Sequence, residues 1–412
     1  MIPIDELQVA ELQKARIACA YLFSSQLARS DIFLKQLDFE TLKKSYLKKV
    51  KMYHPDLNRH EQQEIISKKT ERFIKIRESY EILSSFFDKK SHTISEKITR
   101  KGKIIAIGGA KGGIGKSLYT ANLGVFLANK GLRTVVVDLD LGGANLHLYL
   151  GETFIKCNIN DFLNNKVSSL QKTIIPTKYG PYLIGGDSSQ LGAANINYMR
   201  KLKLMNAIRK IDADYIIIDL GGDTSYNIID FFLLADHGIV MTTCDPASYV
   251  DAYNFIKTAL YRKLNRLFGP ESKYKDQKDH DLEQFIRKAT MPENGSKFVK
   301  MENLVEEVKR QLPQSLPVLS EAILAFNPNL IVNRVPPNFN VSQIVDRILE
   351  VATKMLSINV RYLGCIGYQP EIELSARNLV PVVTKSTSCD LAKNLSQIAE
   401  NLGIRGQERR KS

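Results

Sequence analysis

Through residues 1–88 the apolar positions recur at helical spacing. Leu42, Tyr46, Leu47 and Val50 predict one helix stripe, and Phe73, Ile76, Tyr80 and Leu83 a second. Leu7, Leu12, Ala15, Ala18 and Leu22 predict a further helix near the start. No glycine occurs before Gly102, so this part reads as all-α. From Lys103 the pattern changes. Short apolar runs at 104–107, 134–137, 215–218, 238–241, 329–332 and 362–366 are separated by amphipathic or polar stretches. Buried runs spaced by helices predict an α/β fold, a doubly wound and mostly parallel sheet covered on both faces. The expected organisation is an N-terminal helical segment (1–30), a small all-α module (31–88) and a polar linker (89–101). A sheet domain (102–405) follows, with a polar insertion at 262–320, helical around 301–312, and a basic tail (406–412).

Composition then limits the function classes. A chain of 412 residues favours at least two domains. No apolar run reaches the roughly 18 residues of a membrane-spanning helix. The opening MIPIDELQVAELQ lacks the basic start and apolar core of a signal peptide. Five cysteines, Cys19, Cys157, Cys244, Cys365 and Cys389, lie far apart without a CxxC pair. That spacing predicts a reducing cytosol and no zinc or iron–sulfur site. The net charge is +14, and residues 1–103 hold 21 basic against 14 acidic side chains, half of that surplus in a quarter of the length. An anionic partner is the expectation.

The most informative stretch is 103–122, KIIAIGGAKGGIGKSLYTAN. An apolar strand runs into Gly112, Gly113, Ile114, Gly115, Lys116, Ser117 and Leu118, and then into an amphipathic helix. Phosphate cradling needs inward backbone N–H groups, hence glycines, and a helix N-terminus whose dipole favours an anion. Lys116 is expected at the β/γ-phosphates and Ser117 on Mg²⁺. The strict phosphate-loop pattern has glycine where Ala110 stands. Asp219 ends one apolar run, and Asp138 and Asp140 end another. Aspartates at strand ends are commonly turn formers; beside a phosphate loop they also suit a metal's water shell and an attacking water.

The second lysine, Lys111, makes KGGIGKS resemble the deviant Walker A signature of the MinD/ParA superfamily. VVVDLDLGGANLHLYLG (135–151), YIIIDLGGD (215–223), TTCDPASYVDAYNFIK (242–257), IVNRV (331–335) and LGCIGYQPEIELSARNLVPVV (363–383) extend the likeness towards the MinD and FlhG branch. The resemblance implies an ATPase that uses Mg²⁺ and ATP as a homodimerisation switch to position a cellular structure through an unidentified cargo or activator. It implies that Lys111 reaches the partner subunit's phosphates, that Asp140 handles the attacking water, and that Asp138 and Asp219 serve the metal with Ser117. Asn333 and Arg334 fall in the base-binding segment. The paired cysteines of the nitrogenase iron protein and Mrp-like carriers are absent.

His54-Pro55-Asp56, between the basic stretch LKKSYLKKVKMY (42–53) and TERFIKIRESYEIL (70–83), is similar to the loop of a DnaJ-like J-domain over 31–88. That likeness implies contact with an Hsp70 chaperone through the tripeptide and Lys43, Lys44, Lys48, Lys49 and Lys51. The alternative function is a J-domain co-chaperone adaptor whose phosphate-loop domain binds nucleotide for regulation. For location the expectation is cytoplasmic, with peripheral attachment to the inner face of the membrane, or the cell pole, left open. The surplus charge suits either that membrane surface or non-specific DNA. The stretch 391–404 lacks the aromatics and dense lysines of a membrane-inserting face, and is expected to pack as the last helix of the sheet domain.

Overall fold

All six apolar runs become strands, joined by two short ones. They are β1 (Lys103–Gly108), β2 (Thr134–Leu139), β3 (Ile175–Pro176), β4 (Tyr182–Ile184), β5 (Tyr215–Leu220), β6 (His237–Thr243), β7 (Asn329–Val335) and β8 (Arg361–Gly367). The sheet order is β3-β4-β2-β5-β1-β6-β7-β8. Every neighbouring pair is parallel except β3 with β4. The computed structural model describes residues 9–53, 63–88, 102–140, 142–186, 196, 198–268, 286, 300–384 and 389–404. The linker at 89–101, the tail at 406–412, the His54-Pro55-Asp56 tripeptide and much of the 262–320 insertion lie outside the described residues.

Side chains alternate across a strand, so each central strand feeds two cores. Ile104, Ala106, Ile216 and Ile218 face the helices Tyr198–Ile208, Tyr226–Phe232 and Pro246–Phe268 on one side. Ile105, Ile107 and Ile217 face Lys116–Asn129 and Asp390–Asn401 on the other. Leu391, Leu395, Ile398 and Leu402 are buried there, so the last helix packs on the sheet. Within the insertion range, Pro246–Phe268 runs past residue 262, and Met301–Gln311 and Leu316–Leu324 are helical. No described helix is long and apolar enough to cross a membrane.

The topology positions the site. β1 lies in the middle, with β5 and β2 to one side and β6, β7 and β8 to the other. Connections that diverge from a central strand leave a crevice at the carboxyl ends, where open α/β sheets bind ligands. Register sets Ile107 opposite Asp219, and Asp219 opposite Asp138, in one row at that edge.

The chain divides into two units, Met1–Thr99 and Arg100–Ser412. The first holds the helices Val9–Leu22, Ser25–Ala28, Asp31–Gln36, Phe39–Tyr53 and Gln63–Asp88. Tyr46 stacks on the half-buried Tyr80 with centroids 4.1 Å apart, and Leu42, Val50, Phe73, Ile76 and Leu83 are buried with Tyr46. Leu47 departs from the expected stripe. It is 45% exposed, because a step of one residue from Tyr46 turns it about 100° around the helix. Ala15, Ala18, Cys19 and Leu22 of the first helix are also buried.

Candidate functional site

The loop between β1 and the helix Lys116–Asn129 owes its shape to glycine. Gly113 (φ 75°) and Gly115 (φ 96°) occupy the left-handed region, which costs other L-residues about 1–2 kcal/mol. At Gly115 space forbids a side chain as well, since a Cβ would come 2.5 Å from Asn333 Nδ2. Gly115 caps the helix without a side-chain bond, leaving the first-turn amides, the positive end of the dipole, towards the loop.

Lys116 is buried, and its Nζ donates to the Lys111 carbonyl at 2.9 Å. Burial pushes its pKa down, while the Asp219, Asp140 and Asp223 carboxylates hold it up. Asp219 is buried too; its Oδ1 accepts from Thr120 Oγ1 at 3.2 Å. Its Oδ2 is buried and makes no hydrogen bond. Burial raises the carboxyl to about 7, against the Ser117 hydroxyl, the Lys116 ammonium and Thr120. An orphaned carboxylate oxygen beside a serine hydroxyl is a hard-oxygen donor set, which fits Mg²⁺. Among the described residues no group of three His, Cys, Asp or Glu side chains could hold a metal. A cation here would therefore depend on ligand oxygens and water for the rest of its shell.

The raised carboxyl has a pH consequence. Asp219 holds its proton more tightly folded than unfolded, so the resulting stability is complete below the ordinary 3.8 and is lost as pH rises through about 7. Between pH 6 and pH 8 the wild type should lose about 1 kcal/mol relative to Asp219→Asn. Urea midpoints of the two proteins at both pH values check this; parallel shifts would refute the assignment.

Asp138 is buried, with its carboxyl pushed well up by burial and by Asp219. Its Oδ1 accepts from the Asp140 amide at 3.2 Å, and its Oδ2 from the Leu146 amide at 3.1 Å. It thereby fixes the turn that carries Asp140. Asp140 lies between two glycines: ideal Cβ atoms on Gly143 and Gly221 would approach its carboxylate to 3.4 and 3.2 Å.

Three features of the site were not expected from sequence. Lys111 Nζ bonds Asp245 Oδ2 of the same chain at 2.6 Å, and that pairing holds the Asp245 carboxyl below its usual range. Asn333 commits its amide nitrogen to the Ile114 carbonyl at 2.7 Å, bracing the loop from β7. Gly222 presses on the loop, because a side chain there would come 2.8 Å from Gly112 N. Arg334 is exposed with φ 54°, next to the register shift between β7 and β8. A non-glycine residue in that region is uncommon and recurs at functional sites. Leu118 sits in the first turn, where its carbonyl accepts from Asn122 Nδ2. The structure thus brings Lys111, Gly112, Gly113, Ile114, Gly115, Lys116, Ser117, Leu118, Asp138, Asp140 and Asp219 to one edge of the sheet, with Asn333 against the loop. Loop bracing and ion pairing across 134 residues of chain leave no local signal.

Comparison with known proteins finds two family matches along the chain. Residues 105–382 match the CobQ/CobB/MinD/ParA nucleotide binding domain, and residues 34–92 match the DnaJ domain. The flagellum site-determining protein YlxH of Helicobacter pylori is 34% identical over 178 residues, 42% of this chain and 56% of that protein. The antiactivator FleN of Pseudomonas aeruginosa is 28% identical over 169 residues, 40% of this chain and 58% of that protein. The chain thus spans about half the length of the curated relatives it matches. A crystal structure of the Pyrococcus furiosus cell division ATPase MinD aligns at 19% identity with a TM-score of 0.46, covering 73% of this chain and 98% of that one.

Proposed function

The chain belongs to the CobQ/CobB/MinD/ParA nucleotide-binding family and carries a DnaJ domain, and from that premise we propose an ATPase that uses Mg²⁺ and ATP to switch between monomer and homodimer. The carrying observation is the buried Lys116, whose charge the Asp219, Asp140 and Asp223 carboxylates favour, behind a left-handed glycine loop at a helix N-terminus. On this reading the loop is a deviant Walker A signature. The amides of residues 112–118 bind phosphate oxygens, and Lys116 exchanges the Lys111 carbonyl for a phosphate oxygen. Ser117 and Asp219 hold Mg²⁺, which neutralises phosphate charge when bound. Asp140 orients the attacking water and accepts its proton, and Asp138 fixes the turn that aims it. Lys111 reaches the phosphates bound by the partner subunit. Arg334, with the remaining amide oxygen of Asn333, serves the base.

The switch would position or regulate a cellular structure, in keeping with YlxH, a flagellum site-determining protein. The cargo, the activating protein, and the choice between the inner membrane face and DNA belong to that proposal, as does a cytoplasmic or polar location. The DnaJ match favours a second component, recruitment of Hsp70 through His54, Pro55 and Asp56, and with it the adaptor reading. Phosphate release by the full chain with Mg²⁺ and ATP separates the two. Turnover supports the switch; saturable binding without turnover supports the adaptor.

A further inference from the structure

The loop 221–225 touches both halves of the phosphate site. A Cβ on Gly221 would come 3.2 Å from Asp140 Oδ1, and one on Gly222 2.8 Å from Gly112 N. The helix Tyr226–Phe232 continues that loop and carries Asp230, which is 2% exposed. Asp230 Oδ1 accepts from Arg262 Nε at 2.8 Å, and Oδ2 from Arg262 Nη2 at 2.9 Å and from Lys201 Nζ. Arg266 Nη1 lies 3.7 Å from Oδ1. Lys201 belongs to the helix Tyr198–Ile208, and both arginines to the helix Pro246–Phe268. Burial pushes the Asp230 carboxyl up, but Arg262 and Lys201 together outweigh it and hold the group below its usual range. The Arg262 guanidinium also lies over the Tyr226 ring, 4.8 Å from its centroid, so one side chain grips the helix at residues 226 and 230.

Removing one partner from a buried ion cluster is costly, yet apolar residues of similar volume often fold as well or better. What a bidentate carboxylate–guanidinium fork supplies in addition is direction, since its two parallel bonds form at one orientation. The geometry points to Asp230 as a positioning residue for hydrolysis, one that locks the helix Tyr226–Phe232 between its two neighbours and thereby holds the loop 221–225 against Asp140 and Gly112. The inference rests on the proposed function for the reaction it serves. Asp230 stands little more than one helical turn beyond Ser225, so a tilt of the helix moves the loop with it. Aiming a water demands closer placement than binding phosphate does, and hydrolysis should therefore feel that tilt first.

Two full-length variants carry the test. Asp230→Asn removes the charge. Asp230→Leu combined with Lys201→Met and Arg262→Met replaces the cluster with apolar side chains, and keeps a folded protein in hand if the single variant unfolds. Amide exchange of residues 221–225 without nucleotide, read by mass spectrometry, should run about tenfold faster in the triple variant, with β1 as the unchanged reference. Under single turnover with Mg²⁺ and ATP, its hydrolysis should fall about 10- to 100-fold while ATP affinity stays within about threefold of wild type. A thermally stable triple variant that hydrolyses ATP at the wild-type rate would overturn the inference, because the cluster would then serve stability alone. Unchanged exchange at 221–225, or an equal loss of affinity and hydrolysis, would overturn it as well. If the wild-type chain binds ATP without turnover, the proposed function fails, and the exchange ratio still decides whether Asp230 holds the loop.

Discussion

Lys116→Ala should lower affinity for ATP by at least about 100-fold while leaving the chain folded. A buried ammonium contributes charge-assisted bonds to phosphate oxygens, each about 1.5–3 kcal/mol, and every 1.4 kcal/mol is tenfold in affinity. Its loss also removes the positive charge that offsets the Asp219, Asp140 and Asp223 carboxylates, so the polyphosphate would add negative charge to an already acidic site. The fold should tolerate the change, since burying that ammonium already costs desolvation and its hydrogen bond goes to a loop carbonyl. Titration calorimetry with ATP and Mg²⁺, alongside a thermal melt, reads both quantities. Near-normal affinity in a folded Lys116→Ala protein would remove the phosphate-site reading.

Asp140→Ala should separate binding from chemistry, with hydrolysis falling by about 10²- to 10⁴-fold and ATP affinity nearly unchanged. The backbone of residue 140 already has its bonds, donating to Asp138 Oδ1 and accepting from Gly143 N, and an alanine keeps both. Gly143 and Gly221 leave space around the carboxylate, so its removal disturbs little packing. Phosphate release under single turnover and equilibrium binding of a fluorescent ATP analogue distinguish the outcomes. Parallel losses in both would make Asp140 a structural residue of the loop.

Much of this was legible in the sequence for a physical reason. Strands buried on both faces read as continuous apolar runs, and all six became the parallel strands that carry the core. β3 and β4 were missed because they span only two and three residues, too short for any periodicity to register. The glycine loop was visible because left-handed backbone and close approach leave glycine as the residue that fits, at Gly113 and Gly115. Invisible were the contacts that long-range folding creates. Asn333 supports the loop across 219 residues of chain, and the Lys111–Asp245 pair spans 134. Leu47 shows the limit of a hydrophobic stripe, since one step along a helix carries a leucine from core to solvent.

Sedimentation velocity of the full chain with Mg²⁺ and ATP, set against Mg²⁺ and ADP, tests the central claim most directly. The account predicts a dimer in ATP that reverts to monomer as ATP is consumed, and a persistent dimer for Asp140→Ala. A chain that binds ATP yet stays monomeric in both nucleotides, for wild type and Asp140→Ala alike, would contradict it.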